Sequence, residues 1–273
     1  MKKSIENKND LKSIFSMKNK ITVIIGGTGN LGLNFSDTLS KAGSKVYLLD
    51  KTKKKITKKN IFFIKCDVES KNNITKSLRQ VANREKKIDV LIYNVYAKPK
   101  NYYEKYEKYG SKTWEKVLKT NLTGAFLSTQ FAVQHFKKNK VKGNIILVLS
   151  TYGIVGPDPS IYEGLRSKSN IYGGRHSLNT PASYTSTKSA LLGLTKYLAT
   201  NFGKYGIRAN SLTPGGVFDN QEKKFVKKYE KKVPLGRMAN WSDYNGSILF
   251  LASDASKYMT GSNLIVDGGW TAW

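Results

Sequence analysis

Ile21-Thr22-Val23-Ile24-Ile25-Gly26-Gly27-Thr28-Gly29-Asn30-Leu31-Gly32 is the stretch whose reading decides the fold. Its first five residues are apolar or β-branched without alternation, as in a strand covered on both faces. The chain then runs directly into glycines at 27, 29 and 32, spaced G-x-G-x-x-G. Glycine there allows a tight turn and close backbone approach, and the helix that follows aims its free N–H groups at an anion. A strand, this turn and a helix together form a cradle for a dinucleotide diphosphate. Gly26, Thr28, Gly29, Asn30, Leu31 and Gly32 are therefore expected to contact a cofactor.

Outward from this unit, a second strand, Lys45 to Leu49, ends in Asp50. An acid about twenty residues after the glycines bonds ribose hydroxyls and repels a 2′-phosphate. NAD(H) is favoured and NADP(H) is the alternative, because Lys51 and Lys53 partly offset the repulsion. The next strand, Ile61 to Ile64, leads to Cys66-Asp67-Val68, where Asp67 and Val68 reach the rim expected to face adenine. Asp67 equally suits capping a helix that starts near Ser70. Further strands are expected at 88–93, 143–149, 207–212 and 263–266, with long helices at 113–138 and from Tyr184 onward and a further helix at 238–252. Residues 98–112 read as a polar loop or short helix. Strands alternating with helices give an α/β class, a single-domain Rossmann-like doubly wound parallel sheet flanked by helices. It would span 13–273 after a loose polar tail at 1–12.

The formal net charge of +28 invites a nucleic-acid reading. Yet only six of the 47 basic residues are Arg, the residue best suited to bidentate phosphate and base contacts. Abundant Lys, Asn, Ile and Tyr together follow from A/T-rich codons, so no specific nucleic acid is expected. No apolar run is long enough to span a membrane. A single cysteine, Cys66, suits a reducing compartment, and a cytoplasmic protein with no metal site is expected.

Tyr184-Thr-Ser-Thr-Lys188 supplies the chemistry. The same spacing occurs at Tyr47/Lys51 and Tyr96/Lys100, but the first runs off a strand and the second contains Pro99. Only Tyr184 opens a stretch of helical periodicity, through Leu191, Leu194 and Leu198, that puts both groups on one face. An ammonium there is expected to lower the phenol pKa and make Tyr184 a usable acid/base. Ser150, at the end of a strand, is placed to donate to a substrate oxygen. Asn121 interrupts the 113–138 helix where it can hold a water.

The Gly-rich turn, Asp50, Asp67, Asn121, Ser150-x-x-Gly153, Tyr184-x-x-x-Lys188, Ile207-Arg-Ala-Asn210, Pro214-Gly215 and Val266-Asp-Gly-Gly269 occur in an order that resembles the short-chain dehydrogenase/reductase family. The resemblance covers residues 13–273. It implies hydride transfer between nicotinamide and a secondary alcohol or ketone. Tyr184 would be the acid/base and Ser150 would polarise the C–O bond. Lys188 would bind the nicotinamide ribose, Asn121 would hold the relay water, Asn94 would line the cofactor, and Pro214, Gly215 and Val217 would face the carboxamide. Two departures stand out: Asn30 replaces a glycine in the turn, and Tyr93-Asn94-Val95-Tyr96 replaces Asn-Asn-Ala-Gly.

An insertion at about 154–182 and a lid at about 215–237 flank the site. Tyr162, Glu163, Arg166, Arg175, Asn220 and Gln221 are the candidate substrate contacts, the two arginines on an anion and Glu163 on hydroxyls. His176 reads as a surface residue. The lid and the C-terminus look similar to a subgroup tied to bacterial surface-sugar and flagellin glycosylation. The small-molecule substrate is thus expected to be anionic or sugar-like. A 3-oxoacyl-type carbonyl reductase and a non-catalytic nucleotide-binding protein are the alternatives. Trp270 and Trp273 at the end of the chain suggest burial in the interface of a homotetramer or homodimer.

Overall fold

The computed structural model describes residues 10–165 and 177–273. Seven strands, β1 (Ile21–Ile25), β2 (Lys45–Asp50), β3 (Ile61–Lys65), β4 (Val90–Tyr93), β5 (Asn144–Val148), β6 (Arg208–Pro214) and β7 (Asn263–Val266), form one parallel sheet. Their order is β3-β2-β1-β4-β5-β6-β7. The helices are α1 (Leu11–Ile14), α2 (Asn30–Lys41), α3 (Lys71–Glu85), α4 (Ser111–Leu118), α5 (Gly124–Lys138), α6 (Ala182–Phe202), α7 (Lys223–Glu230) and α8 (Asn245–Ala252).

Every residue of β1, β4 and β5 is buried, because helices cover both faces. Val23, Ile25, Leu91 and Leu147 point to the face packed by α3, α5 and α6. Ile24, Leu48, Ile92 and Ile146 point to the face packed by α2 and α8. The chain winds outward in opposite senses from β1 and β4, which opens a crevice past their carboxyl ends. The register sets Ile25 level with Leu49 and Tyr93, so Gly26, Asp50 and Asn94 leave the sheet side by side.

Several local expectations change. Leu11 and Lys12, read as tail, belong to α1, which Asp10 caps. The expected 113–138 helix is split by a π turn at Lys119–Thr123. The cause lies in the sheet: the buried Tyr93 hydroxyl donates to the Thr120 carbonyl, and Asn121 is bonded away from its own helix. A Cβ on Gly124 would lie 2.4 Å from the Tyr93 oxygen, so glycine permits this approach. Within 98–112, a 3-10 turn forms at Tyr106–Lys108, but Tyr102 is core, only 3% exposed. Met238–Asn240 precede the last helical segment instead of starting it, because Asn240 and Asp243 form a capping box that begins a turn at Trp241. Trp270 docks within its own chain, stacked on Tyr229 at 4.5 Å and edge-on to Tyr152, so it needs no partner subunit to be covered. Trp273 stays 77% exposed.

Candidate active site

The turn after β1 is built as its glycines require. Gly26 has φ +76°, and a Cβ there would lie 2.6 Å from the Asn94 carbonyl oxygen. Gly32 packs equally close to the Gly26 oxygen, which seats α2 against the turn. Gly29 differs: a Cβ would meet nothing nearer than 3.7 Å. Gly29 is the N-cap of α2 and no side chain caps that end, so the first-turn N–H groups of Asn30 and Leu31 are left for an anion. Open space before an uncapped helix N-terminus fits a diphosphate. The Asn30 side chain does not fill it but donates to Asp219 at 3.2 Å, tying the turn to the lid. Asp50 accepts from Thr28 N at 3.1 Å, and the Asn94 amide donates to the Gly26 carbonyl. Asp67 accepts from Glu69 N, while Ser70 caps α3; the capping alternative for Asp67 therefore gives way to Ser70. Val68 is buried against Gly124.

Tyr184 and Lys188 lie in the first two turns of α6, which starts immediately after Pro181. Helix α6 presses on the turn after β5, where a Cβ on Gly153 would lie 2.9 Å from the Lys188 backbone; this explains the glycine three residues after Ser150. Ser150 stands beside the Tyr184 hydroxyl, close enough to favour its ionised form. The Tyr96 ring stands edge-on to Tyr184, with centroids 6.3 Å apart, so it borders the site without replacing any member of it.

The electrostatics reverse the expected roles of the pair. Burial pushes the Tyr184 pKa up to about 12, against a smaller lowering by the neighbouring Ser150. Burial also lowers Lys188, 3% exposed, to about 7. Its Nζ donates to the Val148 carbonyl at 2.8 Å and lies 5.8 Å from the centre of the Tyr184 ring. In the protein alone, Lys188 does not depress the phenol, because desolvation of both groups outweighs their interaction.

Asn121 also differs from expectation. Its Oδ1 accepts from Ala97 N at 2.9 Å and its Nδ2 donates to Thr187 at 3.1 Å. The side chain fastens the loop after β4 to α6 and does not project into the cleft to hold a water. On the opposite wall, the Pro214-Gly215-Gly216 strap is held from two sides. Gly216 N donates to the Tyr229 hydroxyl at 2.6 Å, and the Tyr244 hydroxyl donates to the Gly215 carbonyl at 3.1 Å. Val217 is bridged to Ala239.

Gly29, Asn30, Leu31, Asn94, Ser150, Tyr184, Lys188, Pro214, Gly215 and Val217 line one cleft of about 690 Å³, whereas Asp50, Asp67, Val68 and Asn121 lie outside its lining. Tyr162 enters it, with its hydroxyl bonded to those of Tyr152 and Thr180 at 3.3 and 2.7 Å. Glu163 does not: its side chain is on the surface beside Lys228. Asn220 sits exposed at the mouth with φ +57°, and Gln221 spends its amide on Asp219 N and the Val217 carbonyl. Arg166, Arg175 and His176 lie outside the described residues. Tyr102, Tyr152, Phe225 and Tyr229 also line the cleft, although the sequence did not single them out. Among the described residues no cluster of His, Cys, Asp or Glu suits a metal, and no helix is long and apolar enough to cross a membrane.

Residues 20–162 match the short chain dehydrogenase family, and residues 168–271 match a family described as enoyl-(acyl carrier protein) reductase. The chain therefore belongs to the short-chain dehydrogenase/reductase family, a class of NAD(P)-dependent oxidoreductases. Among its relatives, a sorbose reductase of Schizosaccharomyces pombe is 31% identical over 276 residues, covering 95% of this chain and 99% of that protein. The post-translational flagellin modification protein A of Campylobacter coli is 28% identical, covering 93% and 99%. A short chain dehydrogenase from Leptospira borgpetersenii, solved with bound NAD+, superposes with a TM-score of 0.83 at 31% identity, covering 96% of each chain.

Proposed function

We propose that the protein is an NAD(H)-preferring oxidoreductase that interconverts a secondary alcohol and a ketone on a polyol, sugar or sugar derivative. The observation that carries this reading is that Tyr184 and Ser150 face one cleft side by side, with Lys188 one helical turn along and buried. The nicotinamide, when bound, gives or accepts the hydride at its C4. Ser150 holds the substrate oxygen, and Tyr184 gives that oxygen a proton in reduction or removes one in oxidation. Lys188 binds the nicotinamide ribose, and Pro214, Gly215 and Val217 hold the carboxamide. Asn121 keeps α6 and the loop after β4 in register. Asp50 meets the adenosine ribose, with Asp67 and Val68 beside the adenine.

A polyhydroxylated substrate is supported by a wall of hydroxyl and aromatic groups at Tyr152, Tyr162 and Thr180, which suits hydroxyls and C–H faces together. It is also supported by similarity to a sorbose reductase, and the flagellin-modification relative extends the candidates to sugars of surface-glycan synthesis. Cys66 is buried and unpaired, and the reading places the enzyme in the cytoplasm. The exposed Ile265 on β7, with Leu235 and Trp273, supports a homodimer or homotetramer. Light scattering returning a monomer mass at micromolar protein would remove that element.

The functional test follows the reduced-nicotinamide absorbance with a panel of polyols, ketoses, sugar phosphates and nucleotide sugars. Turnover of at least one of these with NAD(H) is expected. Turnover confined to oxoacyl thioesters would replace the reading with the carbonyl-reductase alternative.

A further inference from the structure

Lys51 immediately follows Asp50 at the carboxyl end of β2, where a cation would ordinarily offset the repulsion between Asp50 and a 2′-phosphate. In the structure its ammonium is turned away to two other acids. Lys51 Nζ lies 2.9 Å from Glu69 Oε1 and 3.2 Å from Asp67 Oδ1. Glu69 is the fixed member of this cluster: its side chain is 13% exposed, against 49% for Lys51. Lys116 of α4 binds its other oxygen, and Thr120 of the π turn donates to Oε1 at 3.2 Å. Two separate elements thus anchor one carboxylate, and the flexible lysine comes to it.

We propose that Glu69 is a positioning residue for cofactor choice: together with Asp67 it withdraws the Lys51 ammonium from the ribose side of Asp50, so that a 2′-phosphate meets Asp50 without a counter-charge. This rests on the reading that Asp50 meets the adenosine ribose. The pairing holds at neutral pH. Burial would raise the Glu69 pKa, but the bonds from Lys116 and Lys51 hold it at about 2. Burial would lower Lys51, but Glu69 and Asp67 raise it. A partly desolvated, multiply bonded carboxylate holds its partner more firmly than an exposed pair does. Lys53, also exposed, lies two residues further on, and the test separates it from Lys51.

The test titrates NADH and NADPH by fluorescence, and AMP and adenosine 2′,5′-bisphosphate by calorimetry. Glu69→Gln keeps an acceptor for Thr120 and Lys116 but weakens the hold on Lys51. It is expected to tighten NADPH and the bisphosphate by roughly three- to ten-fold, the net scale of one ordinary hydrogen bond, and to move NADH and AMP by less than about two-fold. Adding Lys51→Ala should abolish the gain, and adding Lys53→Ala should not. Lys51→Ala alone should change NADPH affinity by less than about two-fold, because that ammonium is already committed. A gain that survives Lys51→Ala, equal shifts for both dinucleotides, or a loss of NADPH affinity beyond about five-fold in Lys51→Ala alone would overturn the proposal. The last measurement decides even where Glu69→Gln does not fold. Asp50→Asn keeps the two failures apart. If it leaves the NADPH-to-NADH ratio unchanged, the reading of Asp50 fails and takes the proposal with it. If it shifts the ratio while Glu69→Gln does not, only the role of Glu69 fails.

Discussion

Tyr184→Phe is expected to lower kcat by roughly 10³-fold, within the 10²–10⁴ range of a positioned acid/base, while NADH binds within a few-fold of its normal affinity. The variant keeps the ring against Tyr96 and removes only the hydroxyl beside Ser150. Ser150 would still hold the substrate oxygen, but no proton would reach it. The pH dependence has a definite sign. Oxidation needs the phenolate, and Tyr184 titrates at about 12 in the protein alone, so oxidation should accelerate as pH rises from neutrality. A cationic ring bound beside Tyr184 favours the phenolate, so the working transition falls below that value. Reduction needs the neutral phenol and should be flat near neutrality. Retention of more than about a tenth of kcat in Tyr184→Phe would reject this assignment.

The second large effect is on stability. Lys188→Met should abolish turnover and yet stabilise the cofactor-free protein at pH 7 by ~2–4 kcal/mol. A pKa lowered from the usual lysine value to about 7 is a folding penalty of ~1.4 kcal/mol per unit, partly offset by the bond to the Val148 carbonyl, worth about 1 kcal/mol. Between about pH 7 and the lysine range, the unfolded chain holds a proton that the folded chain has released. Folded stability from this group therefore rises with pH across that window and is level below it. Tyr184 acts in the opposite sense and higher up. Its folded pKa is raised, so its contribution declines as pH climbs from the usual tyrosine value toward about 12. Urea titrations of wild type and Lys188→Met from pH 6 to about 9.5 isolate the lysine, because the other groups cancel in the difference. A difference that does not shrink as pH rises would mean that Lys188 is charged in the folded protein.

Much of this site was legible one stretch at a time. Ile21 to Gly32 gave strand, turn and helix, because each signal lies within a dozen neighbouring residues: an apolar run, three glycines, a helix start. The long apolar periodicity after Tyr184 singled out one Tyr-x-x-x-Lys among several, and that pair lies at the start of α6. The insertion and the lid were harder to read. Glu163 and Gln221 have the chemistry to read hydroxyls, but one reaches the surface and the other completes its own turn. Nothing in local sequence distinguishes those fates, because polar side chains are directed by whatever backbone happens to be nearby.

The sequence by itself determined the doubly wound sheet, the strand–turn–helix unit of the Gly-rich stretch and the shared helical face of Tyr184 and Lys188, all consequences of periodicity and backbone geometry. Only the tertiary structure decided what those groups do electrically and to whom they bond. Val148, from a strand forty residues earlier, accepts the Lys188 hydrogen bond; Tyr93 opens the helix at Thr120; and Glu69, fixed by α4 and the π turn, takes Lys51 from Asp50. Desolvation and hydrogen-bond partnership depend on segments far apart in the chain, and no local pattern carries that information.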